Sequence, residues 1–578
     1  MSLTAVNLAL KAFPAVAALR HVGSIISSYL DGSVLIPLDQ ACLMGSTRLL
    51  DRIWQNSNPE TERSTIWSLC SYLRTDIHYY RFQFTKSLRV AVKHGDLGIV
   101  KWILGHLSGC TAEEGVVEDA ALCGRMEILQ YLLEYGRYEE QDDGKRNTIL
   151  WGGDDMANAI KEGHAEVAHW LYENTRDVPR NLDRVMEFAV QQGDMNLVQW
   201  LLDVVYEEAD SFLPSPSINA AAGSHLEMLQ WVFEHFPTGD SESALQRAAK
   251  NGRLDMVQWL VEKGITTGTR YAVEEACEQG HLDVVQWLLE RGDVSYPHSA
   301  MKLAVENGHL DIVKYLCEID LACKPKRMML SAALFGHLHV IQWLLEKYDN
   351  QLFPWIDPST ATTPSNRTQR SSQSAMDKAA GNGHFHIVKF LHELAVEMQA
   401  KGESGYPTCT TWAPTLAAMM GHLEIAKWLR ENYPALGFSP STSSMTARNG
   451  NLKMLQWLHY EQNAEWSTEA MDSAAENGHL EVVKWLHENR DEGCTMKAMT
   501  CAARNGHLKV LRWLQLNRSE GFTADAMEFA VAREHFEVLL FLRAHGLEEC
   551  SSIAKLYASH KQPHVKAWLE VQYPDSGL

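Results

Sequence analysis

One 28-residue pattern recurs along most of this chain, and it limits the possible folds more than any other feature. Its clearest copy, residues 466–493, reads WSTEAMDSAAENGHLEVVKWLHENRDEG. The turn residues at 450, 478, 506 and 534 are spaced 28 apart, as are those from 224 through 336. Units of constant length that recur in this way stack on their neighbours, so the sequence predicts an all-α, elongated solenoid of helix-turn-helix repeats.

Each copy predicts two short helices around a tight turn. Ser467 or Thr468 can cap the first helix, and its alanines form a narrow apolar face. Asn477 and Gly478 end this helix, because glycine reaches a positive φ at little cost. The second helix begins after the turn and carries a tryptophan in most copies, whose helical spacing predicts a place in the core. Glu534 replaces the glycine in one copy, which predicts a strained turn there.

The pattern divides the chain into three parts. Residues 1–90 are predicted to form a degenerate N-terminal helical cap, residues 91–545 an array of about fifteen repeats, and residues 546–578 a C-terminal cap and tail. We expect Trp568 to pack on the last full repeat. Degenerate end repeats are typical of solenoids, because their outer faces meet water.

Three insertions interrupt the array at the same point of the repeat, between a second helix and the next first helix. They lie near residues 135–153, 350–374 and 396–411. Insertions that share one site project from one edge of a solenoid, so this edge is one candidate binding surface.

Charge and cysteine usage exclude several classes of protein. A net charge of −21 repels nucleic acid and anionic lipid, so neither is an expected partner. Eleven scattered cysteines without a CxxC pair indicate reduced thiols. Residues 3–19 contain Lys11 and Pro14 and favour an end cap over a signal peptide. We expect a monomeric protein inside the cell, cytoplasmic or nuclear.

No catalytic or metal-binding constellation emerges from the sequence. A histidine follows the turn residue in ten copies, but neighbouring helices lie about 8–10 Å apart. A zinc ion holds nitrogens at about 2.0–2.1 Å, so these histidines are predicted to be structural. The phosphate-binding glycine loop, the GxSxG elbow and HExxH do not occur. We therefore expect no metal, no cofactor, no catalytic residues and no enzyme, although a hydrolase or transferase in the first 90 residues stays an alternative.

The segment AAENGHLEVV, residues 474–483, resembles the centre of the ankyrin repeat, which has two alanines, a glycine-histidine pair and a valine pair in this order. The resemblance extends over about residues 90–545. The usual ankyrin unit has about 33 residues, so the shorter unit implies that most of the projecting hairpins are trimmed to turns.

The ankyrin resemblance implies a non-catalytic scaffold that binds a partner protein, along a concave face made by the first helices or along the insertion edge. The candidate partner-binding residues project from first helices, and they are Glu187, Gln246, Arg247, Glu274, Glu275, Lys302, Asp377, Lys378, Asp472 and Glu528. An alternative is a substrate-recruiting adaptor of a ubiquitin ligase. It depends on residues 22–30, VGSIISSYL, which faintly resemble the F-box core.

Overall fold

The repeat around Gly478 consists of the two predicted helices and a left-handed turn. Its first helix is Thr468–Glu476 and its second helix is Leu480–Asn489. Gly478 has φ of 79°, and the next amide, of His479, donates to the carbonyl of Ala474 at 3.0 Å. This bond satisfies one of the carbonyls that a helix end leaves open, so the predicted turn is confirmed.

Both helices of this repeat bury their apolar faces. The buried apolar side chains of the repeat are Ala470, Met471, Ala474, Ala475, Val482, Val483 and Leu486. The alanines let first helices approach closely, and the larger valines and leucine fill the layer between the helices. Burying a methylene group stabilises the folded state by roughly 0.8 kcal/mol, so most of the stability of a repeat comes from this apolar layer.

The computed structural model contains two compact units, residues 1–188 with 527–578 as unit 1 and residues 189–526 as unit 2. The structure describes residues 36–58, 67–137, 146–176, 178–206, 225–235, 243–291, 298–319, 324–348, 373–402, 407–461, 464–546, 554, 557–558 and 563–574. The F-box-like residues 22–30, residues 3–19, Ser224 and nearly all of the 350–374 insertion lie outside these ranges.

Unit 2 is a helical repeat solenoid of the kind that the sequence predicts. Its first helices are Ala244–Lys250, Thr269–Gln279, His298–Glu306, Pro325–Phe335, Ala375–Gly381, Trp412–Met420, Thr442–Arg448, Thr468–Glu476 and Met496–Arg504. Its second helices are Met195–Trp200 with the π-helix Leu201–Tyr206, Leu226–His235, Leu254–Glu262, Leu282–Glu290, Leu310–Glu318, Leu338–Tyr348, Phe385–Ala400, Leu423–Asn432, Leu452–Glu461, Leu480–Asn489 and Leu508–Asn517. Each first helix from Ala244–Lys250 to Thr468–Glu476 packs on the first helix of the next repeat. The unit boundaries fall within the helices Leu182–Gln192 and Asp525–Ala532.

Unit 1 combines irregular helices with further repeats. Its helices are Leu38–Leu43, Thr47–Asn56, Cys70–Thr75, Ile77–His94, Leu97–His106, Glu114–Leu122, Met126–Arg137, Asp155–Lys161, Ala165–Asn174, Phe536–Ala544 and Pro563–Gln572. Gly45 has φ of 64° between the first two helices, so this pair is a degenerate copy of the repeat.

A short parallel strand pair departs from the predicted all-α structure of the repeats. Residues Thr111–Ala112 pair with Thr148–Ile149, at the end of the insertion near 135–153. The buried side chain of Asn147 holds this pair in place, since it accepts from the amide of Cys110 at 2.9 Å and donates to the carbonyl of Leu107 at 2.6 Å. The insertion is therefore anchored at its end by ordinary backbone pairing.

The C-terminal residues of unit 1 pack on its N-terminal residues. Trp568 is buried and contacts Phe536 edge to face, with 5.5 Å between ring centroids, so its predicted packing on the last repeat is confirmed. Its indole Nε1 also donates to the carboxylate of Asp76 at 2.8 Å. Phe536 in turn contacts Tyr79 and Phe82 of the helix Ile77–His94. The sequence pattern contains no signal of this long-range packing.

Candidate partner-binding surface

In several repeats the turn glycine lies against the histidine of the next repeat. At Gly478, an added Cβ would lie 2.6 Å from Nδ1 of His507, which is closer than real Cβ atoms come to a neighbour. The same close approach occurs between Gly280 and His309, at 2.7 Å. Glycine is thus required twice over, because its φ is positive and because the following ring occupies the space of a side chain.

These histidines join the repeats through hydrogen bonds. Nε2 of His309 donates to the carbonyl of Glu278, two residues before the preceding turn, at 2.9 Å. The equivalent bonds run from His281 to Lys250, His337 to Glu306, His384 to Leu334 and His479 to Arg448, at 2.8 to 3.0 Å. The acceptors are carbonyls that the end of the first helix leaves without an intrahelical partner. The predicted structural role of the histidine is confirmed at these repeats.

The tryptophans of the second helices are less buried than the sequence predicts. Trp428, Trp485 and Trp513 are half-buried, so the prediction of a core position is wrong for them. Each ring packs edge to face on a histidine of the preceding second helix, with centroid distances of 4.9, 5.5 and 5.1 Å to His392, His459 and His487. The helical spacing correctly places each ring on the apolar face of its second helix. A large ring at the edge of that face, however, keeps one of its own edges exposed to water.

The ten candidate partner-binding residues occupy two neighbouring positions of the repeat. We name the residue six before the turn residue the linking position and the residue five before it the outward position. The linking position holds Glu187, Gln246, Glu274, Lys302, Asp377, Asp472 and Glu528. The outward position holds Arg247, Glu275 and Lys378.

Asp377 and Asp472 are buried at the linking position and bind the start of the following repeat. The carboxylate of Asp472 accepts from the amide of Thr495 at 2.8 Å and from its hydroxyl at 2.7 Å. Asp377 makes the same two bonds to Thr410, at 2.8 and 2.9 Å. Burial raises the pKa of both carboxyl groups above its ordinary value, although these hydrogen bonds act in the opposite direction. Both side chains are occupied within the chain.

Other repeats use the linking position in the same way. Thr415 accepts from the amide of Ser439 and Thr500 from the amide of Thr523, each at 3.0 Å. Glu274 accepts from the hydroxyl of Ser299 in the next first helix. The sequence analysis did not predict these links. The pattern that would indicate them is an oxygen-bearing side chain at the linking position, followed by Thr or Ser at the start of the next first helix.

The remaining candidates reach the surface to different degrees. Lys302 is exposed, whereas Glu187, Gln246, Arg247, Glu275, Lys378 and Glu528 are half-buried. Ion pairs at the surface join the exposed Lys250 to the half-buried Glu275 at 3.2 Å and the exposed Lys302 to the half-buried Glu306 at 3.7 Å. Surface ion pairs of this kind contribute about 0–1 kcal/mol, so a partner can replace them at little cost. Glu187 and Glu528 belong to unit 1 and the other candidates to unit 2.

Neither a metal centre nor a membrane span is found in the part of the chain that the structure describes. Within those ranges, no three His, Cys, Asp or Glu side chains come together as metal ligands. No helix there has both the length and the apolar character needed to cross a bilayer.

Two family models match the repeats, and both are described as ankyrin repeats. The one described as three copies matches residues 186–271 and 273–354, and the one described as many copies matches residues 329–392 and 471–515. No curated protein matches the chain.

Solved structures of a pentatricopeptide repeat protein, PPR10, are loosely similar. The complex of PPR10 with an 18-nt psaJ RNA element is 10% identical with a TM-score of 0.35, covering 94% of this chain and 85% of that chain. The structure of PPR10 from maize is 11% identical to this chain with a TM-score of 0.27, and the match covers 91% of this chain and 99% of that chain. At such TM-scores, the similarity carries no argument about a ligand of this chain.

Proposed function

The chain belongs to the ankyrin-repeat family, and we propose that it is a non-catalytic scaffold that binds a partner protein on the outward side chains of its first helices. Ankyrin repeats generally mediate protein–protein interaction. One observation carries the proposal for this chain. Successive first helices of unit 2 pack side by side, and their outward positions therefore form one continuous strip of side chains.

The links between repeats support a rigid surface of this kind. Histidine-to-carbonyl bonds and bonds at the linking position fix each first helix against the next. A surface whose backbone is already ordered loses less conformational entropy on binding. We include the outward residues Arg247, Glu275 and Lys378 of unit 2 in the proposed surface, with Gln246, Glu274 and Lys302 beside them at the linking position. We leave out Asp377 and Asp472 because their carboxylates are buried and bonded within the chain.

A charge-swap experiment tests this proposal. The full chain captures partners from native lysate, mass spectrometry identifies them, and their Kd is measured with the purified partner. The variant Arg247→Glu/Glu275→Arg changes two outward positions without changing the net charge. We expect it to weaken binding by about ten-fold or more, because charges at an interface select the partner.

A matched control changes charges on second helices. The residues Glu318 and Lys509 are exposed near the end and the start of two second helices, so the variant Glu318→Lys/Lys509→Glu also keeps the net charge. Its reversed charges suit the helix dipole. We expect this control to bind normally. Loss of the partner only in the control would contradict the proposed surface, and loss only on deletion of residues 350–374 would move recognition to the insertion edge.

A further inference from the structure

Three large apolar side chains stand exposed on first helices within one part of unit 2. Phe335 is 46% exposed, Met420 56% and Met445 37%. Phe335 and Met420 occupy the residue directly before the turn glycine, where Asn382 and Asn449 stand in the adjacent repeats. Met445 occupies an outward position, as does the half-buried Leu416. Residues four apart on a helix share a face, so all of these side chains lie on the outward side of their helices.

The four first helices involved are consecutive and packed side by side. They are Pro325–Phe335, Ala375–Gly381, Trp412–Met420 and Thr442–Arg448, which we name the apolar-basic face. Gly381 allows close packing, since an added Cβ would lie 2.9 Å from Cβ of Leu416. With helix spacings of about 8–10 Å, the face extends over roughly 24–30 Å.

The charge of this face is opposite to that of the whole chain. Its exposed or half-buried charged side chains are all basic, and they are Lys326, Arg327, Lys378 and Arg448. The one acidic residue on these four helices, Asp377, is buried and bonded to Thr410. Arg327 lies eight residues before Phe335 and Arg448 three residues after Met445, so the positive charges flank the apolar side chains.

Acidic residues mark both borders of the face. Glu306 is on the preceding first helix and the exposed Glu469 is on the following one. The positive, apolar strip on these four helices therefore stands out against the net charge of −21 of the whole chain. Exposed apolar side chains rimmed by polar residues are typical of protein interaction sites.

We infer that the apolar-basic face binds an acidic amphipathic segment of a partner protein, an inference that rests on the proposed scaffold function. The apolar side chains of the segment would cover Phe335, Leu416, Met420 and Met445, and its carboxylates would meet Arg327, Lys378 and Arg448. A helix of roughly 18 residues has the length of this face. The observations favour such a segment over nucleic acid, because the exposed apolar residues are mainly aliphatic and the rest of the chain repels phosphates.

Peptide binding to the full chain tests the inference directly. The probe is a fluorescein-labelled helical peptide of about 18 residues, with leucines at helical spacing on one face and glutamates elsewhere. A second peptide carries lysine at every glutamate position, and a single-stranded DNA oligonucleotide serves as a polyanion without apolar side chains. Fluorescence anisotropy gives Kd at low and at high salt. We expect the acidic peptide to bind, the basic peptide not to bind, and salt to weaken the acidic complex.

Two variants separate the apolar and the charged contributions. Phe335→Asn/Met420→Asn introduces the residue that Asn382 and Asn449 provide at the same position, so the turn keeps a side chain native to this fold. Arg327→Glu/Arg448→Glu reverses the exposed charges. Each variant is expected to raise the Kd of the acidic peptide by about ten-fold or more. The control Leu516→Asn changes a 71% exposed leucine on a second helix and should leave the Kd unchanged.

Failure of this inference can be told apart from failure of the proposed scaffold function. No binding of the acidic peptide, equal binding by the variants, or equally tight binding of the DNA would overturn the inference. If a lysate partner is lost with Arg247→Glu/Glu275→Arg but retained by Phe335→Asn/Met420→Asn, the scaffold function stands and the apolar-basic face is not its site. If the acidic peptide binds as expected while no partner depends on either surface, the scaffold proposal fails.

Discussion

Glu534 is a single residue whose strain the repeat pattern predicts. It stands where other repeats have glycine, and it has φ of 58°, the one positive value at a non-glycine residue in the described ranges. Its amide still donates to the carbonyl of Val531 at 3.0 Å, so the turn keeps its usual hydrogen bond. The expected left-handed conformation is confirmed. The strain arises because, in the left-handed conformation, the Cβ atom of Glu534 lies too close to the following backbone carbonyl oxygen.

We therefore expect Glu534→Gly to stabilise the protein. Relief of the left-handed strain of about 1–2 kcal/mol, reduced by the greater entropy of unfolded glycine, leaves a gain of up to about 1 kcal/mol. Thermal unfolding measures the gain as a higher midpoint. Ala532→Gly, in the helix Asp525–Ala532, is the control and should lower the midpoint. A lower midpoint for Glu534→Gly would contradict the interpretation of this turn.

His507 links a residue-scale pKa to stability. Burial lowers the pKa of its imidazole below the ordinary value of 6.5, and a hydrogen bond to the backbone of Glu476 acts in the other direction. The unfolded chain then binds a proton more readily than the folded chain. The stability that this difference provides is fully present above pH 6.5. It is lost as the pH falls below 6.5 and through the lower pKa that His507 has in the folded chain.

The variant His507→Asn is expected to reduce this pH dependence. Asparagine occupies the same position naturally at Asn451, where its amide donates to the carbonyl of Met419 at 3.4 Å. Urea unfolding at about pH 7.5 and about pH 5.5 should show a smaller drop in midpoint for the variant than for the natural chain. An equal drop would mean that other groups cause the acid sensitivity.

At the scale of the helix, one position of the repeat decides how neighbouring repeats are joined. The linking position of a first helix directs its oxygen atoms at the start of the next first helix, as Asp472 does toward Thr495. The outward position, one residue later, points about 100° further around the helix. At repeats such as that of Asp472, two adjacent polar positions therefore have different roles, because the linking side chain lies inside the stack and the outward side chain lies on its surface.

Removing the carboxylate of Asp472 should destabilise the repeats on either side of it. Asp472→Ala leaves the amide of Thr495 without its acceptor, which costs about 1–3 kcal/mol when the site is not open to water. Urea unfolding reports the loss, and hydrogen exchange at the Thr495 amide locates it. Asp472→Asn keeps an acceptor oxygen and Thr495→Ser keeps the hydroxyl, so both should lose less. Equal stability of Asp472→Ala would show that the link contributes little.

At the scale of the molecule, unit 1 depends on packing between residues far apart in the chain. Asp76 uses one carboxylate oxygen to cap the helix Ile77–His94 and the other to accept from the indole of Trp568. Gln83 of the same helix donates to the half-buried carboxylate of Glu537 at 2.9 Å. Burial raises the pKa of Glu537 because the charged carboxylate is poorly solvated there, and the hydrogen bond from Gln83 acts in the opposite direction.

Trp568→Ala is expected to disturb the N-terminal residues of unit 1 as well as the C-terminal ones. A buried tryptophan replaced by alanine costs about 3–5 kcal/mol, and here the loss also removes a donor to Asp76. Hydrogen exchange should show weaker protection of amides in the helix Ile77–His94. Val571→Ala, at a residue that is 63% exposed on the same helix, is the control and should change nothing. Unchanged protection in Trp568→Ala would refute the coupling.

The sequence by itself determined the helix pairs, the left-handed turns and the strain at Glu534, because these depend on residues within one 28-residue unit. It also predicted a structural role for the turn histidines, which the bonds of His281, His309, His337, His384 and His479 confirm. The tertiary structure alone decided that Asp377 and Asp472 are buried links, that Trp428, Trp485 and Trp513 stay half-buried, and that Trp568 reaches Asp76. Each of these outcomes depends on how a side chain meets a neighbouring repeat or a distant segment. Local periodicity tells which face of a helix a residue takes, whereas the partner on that face is set by packing between elements.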